Sequence, residues 1–267
     1  MFRIAVRISG KEIFMIYDLQ KASMWKRISA FLFDAILLGI VAVLCAFALS
    51  GLLGYNQYAA TVNDAYARYS EEYGIDMKMS AVDYNGLPQE QKDIMLQAFE
   101  TLNADQEATH ALSMMMELSV LIASFGLLLG FMVMEFVIPL LLKNGQTLGK
   151  KIFGIAVMHT SGIRLSAPML FARTVLGKYA VETMVPVYIL LMMLFGNMGM
   201  TGLIVLLLLL ILQAAVLIAT HTNSCIHDLL SKTVTVDFAS QMIFETKEEL
   251  LAYKQKVHAQ KAAKAAY

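Results

Sequence analysis

Four stretches of the chain are apolar for long enough to cross a bilayer: Ile28 to Leu53, Leu118 to Leu142, Tyr179 to Phe195 and Leu203 to Thr220. A spanning helix needs about 20 predominantly apolar residues, with a range of about 17–25. Read as one helix, Val185 to Ala219 would run for roughly 52 Å, against a hydrocarbon core of about 30 Å. Gly196, Asn197, Gly199 and Gly202 supply a break, because both residue types tolerate turn angles. The pattern therefore predicts a short hairpin of two spans. Elsewhere the period changes to two. Phe2, Ile4, Val6 and Ile8 alternate with Arg3, Ala5 and Arg7, and Ser9-Gly10 precedes Lys11 to Tyr17, which predicts a β-hairpin. Ile152 to His159 and Ile163 to Ser166 flank Thr160-Ser161-Gly162 and predict a second hairpin, with Thr233 to Phe238 a further β-rich run.

Residues 54–112 read as a helical insertion. Tyr55, Tyr58, Val62, Tyr66, Tyr69 and Tyr73 recur at three- and four-residue spacing, one stripe on a helix. Ile94, Met95, Ala98, Phe99 and Leu102 form a comparable face after Pro88, which suits the first turn of a helix. The two faces are expected to pack together, or alternatively to offer a partner-binding surface. From Phe244 to Tyr267 the Lys, Glu and Ala content favours a helix, with partial disorder or a place on the membrane surface as alternatives. The expected fold is an all-α membrane protein: four transmembrane helices with a helical extracytoplasmic insertion and a small cytoplasmic β element. Its divisions are 1–26, 27–243 with the connector at 143–178, and a tail at 244–267.

Composition fixes the class. Hydrophobic residues make up 58% of the chain and mean hydropathy is +0.61, above the roughly 45–50% apolar share of ordinary soluble domains. Lys and Arg number 21 against 21 Asp and Glu, so no basic field points to nucleic acid. The segment to Arg27, Lys143 to Lys178 and the tail after Thr220 hold six Lys or Arg each; the other three lie between Gly54 and Leu112, among ten acids. That asymmetry predicts both termini and the connector in the cytoplasm. The first apolar run starts too late and is too long for a cleavable signal peptide. Cys45 and Cys225 support neither a disulfide framework nor a zinc site.

Charges inside the spans are the candidate chemistry. Arg27 opens the first run and Asp34 lies on the same face about 10 Å further along the axis, so the two do not simply pair with each other. An acid at the centre of a span costs roughly 2.5–3.5 kcal/mol, so it is a functional candidate facing protein or water. Glu135 lies eight residues before Lys143 and Gln213 eight before His221, about 12 Å from the same boundary and near the depth of Asp34. Asp34, Glu135 and Gln213 are the candidate ion or proton site. The competing reading is packing alone, since polar contacts between membrane helices contribute about 0.6 kcal/mol without any cargo. Pro139 removes the bond normally accepted by the Glu135 carbonyl and leaves that oxygen to a cation, a water or a side chain. Glu182 and Pro186 repeat the spacing, but Lys178 stands one turn earlier as a partner for Glu182. Arg27, Asp228 and Arg173 are the candidate charge network, in which Arg27 snorkels to headgroups, neutralises Asp228 or closes a gate beside Asp34. Lys150 and Lys151 read as solvated or lipid-facing charges, with anionic-substrate binding the alternative.

Enzymatic motifs fare worse. His227-Asp228 is a lone adjacent pair, and neighbours on a helix point apart. His110, His159, His221 and His258 show no HExxH spacing. GQTLGKK lacks the phosphate-loop ending, because Lys151 stands where Ser or Thr would hold a metal. The expectation is a noncatalytic protein without cofactor or metal.

Three separated stretches resemble the RDD family of small bacterial membrane proteins. Met24 to Gly39, MWKRISAFLFDAILLG, resembles its first helix, with Arg27 and Asp34 at the arginine and first aspartate. Gly145 to Ser166, GQTLGKKIFGIAVMHTSGIRLS, resembles its glycine-lysine connector, and His227 to Val236, HDLLSKTVTV, its closing His-Asp segment, which makes Asp228 the second aspartate. Members often carry an arginine shortly before the His-Asp pair; this chain has Asn223-Ser224-Cys225, which argues against an anion site there. The resemblance implies a multi-pass protein of the bacterial cell membrane, with transport of unidentified ligands and, for some members, sodium/proton antiport. Two classes of function follow. One is a transporter coupled to a monovalent cation or proton through the intramembrane acids; the other is a noncatalytic scaffold that binds protein partners through residues 54–112 and the β element. Four spans make a thin wall around a pathway, so a homo-oligomer in the lipid bilayer is expected for the first.

Overall fold

A computed structural model describes residues 3–8, 11–16, 18–194 and 198–265. Phe2, the Ser9-Gly10 turn, Tyr17 and the Gly196-Asn197 part of the expected break lie outside the described residues. In chain order the elements are β1 (Arg3–Ile8), β2 (Lys11–Ile16), α1 (Met24–Leu52), α2 (Tyr55–Tyr73), α3 (Ala81–Gly86), α4 (Gln89–Ala104), α5 (Gln106–Leu142), α6 (Leu148–Ile152), β3 (Ile155–His159), α7 (Ala167–Leu194), α8 (Gly199–Ala219), α9 (Ile226–Leu230), β4 (Thr233–Asp237) and α10 (Lys247–Ala265). Among the described residues α1, α5, α7 and α8 are long and apolar enough to cross a membrane. The protein is an all-α membrane protein with a small β element.

The spans are built inside out relative to a water-soluble helix. In α1 the buried residues are Ala30, Asp34 and Ala42, while Phe31, Ile36, Val43 and Phe47 are exposed. Large apolar side chains face where lipid lies, and small or polar ones face protein, where backbones approach closely. A Cβ added at Gly130 would stand 3.1 Å from the Ala42 Cβ, so α1 and α5 meet at small residues.

Two spans begin well before their apolar runs, α5 at Gln106 and α7 at Ala167. The early part of α5 belongs to the insertion, where Ala108 and Ala111 are buried. The early part of α7 contains Arg173 and Lys178, which lower its hydropathy although protein surrounds them. Both helices are π-helical in part, α5 over Met132–Val137 and α7 over Ala172–Met184. Each stretch is followed by a proline, Pro139 or Pro186, that has no N–H to continue an α ladder.

The N-terminal hairpin pairs Arg3 with Ile16 through Ile8 with Lys11. The second hairpin does not form as expected. β3 pairs antiparallel with β4, Ile155 against Asp237 through His159 against Thr233, while Ile163 bridges to Phe244. Four of the five residues in each strand are buried, so β3 needs a partner buried on both faces, and the Thr-Val-Thr-Val run of β4 provides it. The other edge of β4 is met by residues 20–22, through Ala22 N–H to the Thr235 carbonyl and Asp237 N–H to the Gln20 carbonyl.

The chain divides into two compact units, Met1–Ala42 with Leu128–Tyr267, and Val43–Leu127. In the second, α2 and α4 pack their aromatic and apolar faces together around Ala65, Tyr69, Met95, Ala98 and Leu102, with Tyr66 edge-on to Phe99 at 6.4 Å. Asp105 starts α5 by accepting from the Glu107 and Ala108 N–H groups.

Candidate functional site

Four acids and four cations meet at one end of the helices of the first unit. Glu135 pairs with Lys150 and Lys178, and Asp228 with Arg173 and Arg27, while Asp34 and Glu182 are held by neutral donors, so four acids stand against four cations in formal charge. The π-helical part of α7 supplies Arg173, Thr174, Lys178 and Glu182. Arg173 and Thr174 stand five and four residues before Lys178, and Glu182 four after it, a spacing that suits a π-helix of about 4.4 residues per turn and keeps them on the inner face.

Asp34 docks the connector. Its carboxylate accepts from the Thr147 hydroxyl and, at 2.8 Å, from the Gly149 N–H, while Thr147 caps α6. The approach is close: a Cβ on Gly149 would lie 2.5 Å from the Ala30 carbonyl oxygen and 2.9 Å from the Asp34 carboxylate. This docking carries Lys150 inward. Its ammonium is buried 3.5 Å from Glu135 Oε2, and burial pulls its pKa down to about 8. Glu135 Oε1 is bonded to Lys178. The Glu135 carbonyl, freed by Pro139, accepts from the Thr174 hydroxyl at 2.9 Å. That oxygen is thus taken by a side-chain hydroxyl, one of the three kinds of partner expected for it. Glu135 Oε2 and Lys150 Nζ are buried without any hydrogen-bond partner among the described residues.

Asp228 is the second centre. It accepts from Arg173 Nη2 at 2.9 Å and Nε at 3.2 Å, and from Thr233 Oγ1 at 2.8 Å, with Arg27 Nη2 at 3.8 Å. Burial pushes the Asp228 carboxyl up, but Arg173, His227 and Thr233 together outweigh it and hold the group below the usual carboxylate range. Glu182 takes the His227 N–H at 2.9 Å, the His227 ring at 2.7 Å and Gln213 Nε2 at 3.1 Å. Burial lowers the pKa of His227. A Cβ at Gly177 would lie 2.6 Å from the His227 Cβ, so α9 rests on α7 at a glycine.

The expected site residues are therefore distributed rather than gathered. Asp34 holds α6, Glu135 holds two lysines, and Gln213 holds Glu182, with its own Oε1 buried and unbonded. Arg27, Arg173 and Asp228 do come together. Lys178 turns to Glu135 instead of Glu182, because Glu135 is the more deeply buried carboxylate and Glu182 has neutral donors. His227 and Asp228 do not diverge: Nε2 lies 3.7 Å from Oδ2, since both enter the protein from the five-residue α9. Sequence reasoning left Lys150 and Lys178 outside the site. A period nearer 4.4 than 3.6 in ARTVLGKYAVETM was the available signal.

One cluster has metal-ligand character. Ligand atoms of Cys225, His227 and Asp228 lie within 4.8 Å of one another. These donors do not fit a divalent cation. Asp228 faces two guanidinium groups, His227 Nδ1 is engaged by Glu182, and burial pushes the Cys225 thiol up, away from thiolate.

The RDD family profile matches residues 21–232, well over half of the chain, including α1, α6, α9 and every residue of the charge cluster. No curated protein and no solved structure matches the chain.

Proposed function

The chain belongs to the RDD family, and we propose that it is a noncatalytic membrane transporter in which Glu135 alternates between lysine and a monovalent cation. The observation that carries this reading is the Glu135–Lys150 pair: two buried groups 3.5 Å apart, neither with a hydrogen-bond partner among the described residues at the atoms concerned. Loss of a proton from Lys150 leaves Oε2 free to accept a cation, and departure of the cation lets the ammonium re-form. One positive charge replaces another, so the buried charge balance is constant through the exchange, which avoids the large cost of an unpaired ion. Lys178 keeps hold of Oε1, while Asp34 positions α6 and with it Lys150. We place the protein in the cell membrane with both termini in the cytoplasm, following the Lys and Arg asymmetry.

The test is flux through purified protein in liposomes across a panel of monovalent cations under an imposed pH gradient. Glu135→Gln is expected to abolish flux, and Lys150→Gln to leave cation movement that no longer responds to the gradient. Flux that persists in Glu135→Gln overturns the assignment. The balance of four acids with four cations also suits a self-sufficient scaffold, which predicts no flux in the unaltered protein and a lower folded yield in the variants.

A further inference from the structure

We propose that the cleft beside the end of α5 binds the phosphate of an anionic phospholipid. The cleft, of about 240 Å³, is lined by Pro139, Leu140, Leu165 and Leu170 on its apolar side and by Lys143, Asn144 and Arg164 on its polar side. That volume accommodates several waters at about 30 Å³ each, enough for a phosphate group. No acid lines it. Lys143 has no carboxylate partner among the described residues, and Arg164 holds only Glu245 at 3.4 Å, whose side chain is 77% exposed. Two cations thus share a cleft with one weak counter-charge.

The backbone adds an independent observation. Lys143 sits at φ 64 and ψ 178, a region that only glycine enters freely. Glycine at 143 would relieve the backbone, so the lysine side chain stands there at a cost to folding. Strained positions of this kind cluster at ligand clamps. The place fits a lipid better than a soluble anion. Lys143 directly follows the last residue of a membrane-crossing helix, and Leu140 and Leu141, in its last turn, are exposed. Acyl chains lying along those leucines bring the headgroup phosphate to Lys143 and Arg164, and basic clefts beside spanning helices take anionic headgroups in this way.

The full-length protein is placed in nanodiscs of phosphatidylcholine alone or mixed with phosphatidylglycerol, and separately in phosphatidylcholine with inorganic phosphate. Retained lipid is counted by native mass spectrometry, and Tm is read in parallel. The expected result is about a tenfold preference for retained phosphatidylglycerol, with a higher Tm in its presence and no response to inorganic phosphate. Lys143→Gly should raise Tm in phosphatidylcholine, by relief of the backbone, yet lose the phosphatidylglycerol preference. Arg164→Gln should weaken that preference, and Lys151→Gln, on an exposed neighbour, should keep it. An unchanged preference in both Lys143→Gly and Arg164→Gln overturns the site. A Tm response to inorganic phosphate equal to that of the lipid overturns the lipid as its source.

Discussion

The helical insertion and the charge cluster bury opposite kinds of residue. The insertion encloses Tyr69, Met77, Met95, Ala98 and Leu102 and keeps its ion pair, Arg68 with Asp105 at 2.5 Å, at the rim, where the Arg68 side chain is 59% exposed. The other unit turns leucines and phenylalanines outward and buries Arg173 with Asp228, at 2% and 1% exposure. The difference follows from the solvent each meets. In water, apolar burial drives association and charges gain little by entering. In lipid, the tails are as apolar as leucine, so helices are held by close packing at small residues and by polar contacts that have no water to compete with them. One amino-acid alphabet thus gives a core of one sort in the insertion and its inverse in the spans.

The largest test of that contrast is Arg173→Ala. It strands Asp228, which then keeps hydroxyl and backbone donors, with the His227 ring at 3.7 Å and Arg27 at 3.8 Å. Removing one partner of a buried ion pair costs about 3–5 kcal/mol, enough to abolish most folded protein in detergent. Folded yield by size exclusion checks it, and a yield equal to that of the unaltered chain would mean that water reaches Asp228. Met95→Ala is the counterpart in the insertion. Met95 is 2% exposed in the apolar core, and truncation there is expected to cost about 2–5 kcal/mol. Hydrogen exchange should rise across α2 and α4 and stay unchanged in α7 and α9.

Acid should separate the two regions as well. His227 is held below its ordinary pKa by burial, so the unfolded chain takes up a proton near pH 6.5 that the folded protein refuses. Stability from this group is complete above about pH 6.5 and is lost as pH falls through the lower folded value, with a slope of at most about 1.4 kcal/mol per pH unit. Asp228 adds a second loss below about pH 3.9, where the unfolded carboxyl protonates first. Tm measured from pH 7.5 to 5 should fall in the unaltered protein and less steeply in His227→Gln. Equal slopes would assign the loss elsewhere.

How much of this was legible in the sequence differed between the regions. The four spans were readable because a run of about 20 apolar residues matches the thickness of a bilayer and little else in a folded chain. The packing of α2 on α4 followed from the spacing of Tyr66, Tyr69, Met95 and Ala98, since a 3.6-residue period survives in an amphipathic helix. The start of α7 was hidden by Arg173 and Lys178, whose charges lower hydropathy although neither meets lipid alone. The pairing of β3 with β4 was hidden by distance along the chain: α7 and α8 lie between the two strands, and local turn chemistry at Thr160-Ser161-Gly162 pointed to the nearer strand. Asp34 and Glu135 were recognisable as buried acids, but not their partners. A carboxylate advertises its cost in the sequence, whereas the choice between Thr147, Lys150 and Lys178 as the answering group is made by tertiary geometry.

The smallest expected effect is also the sharpest comparison. Arg68 with Asp105 is a shorter ion pair than Arg173 with Asp228, and Arg68 additionally lies over the Tyr69 ring at 4.9 Å. Distance alone would rank the exposed pair first. Environment reverses the order. With Arg68 removed, Asp105 still accepts from the Tyr69 hydroxyl at 3.0 Å and from the Glu107 and Ala108 N–H groups, and water reaches the vacated side. Solvent-exposed ion pairs contribute little, and what they contribute is screened by salt. Arg68→Ala should therefore leave Tm and the exchange rates of α2 and α4 within measurement scatter, at low and at high ionic strength alike. A clear fall in Tm would show that the guanidinium acts through its packing on Tyr69, and an equal fall in Arg68→Ala and Arg173→Ala would remove the distinction between the two kinds of core.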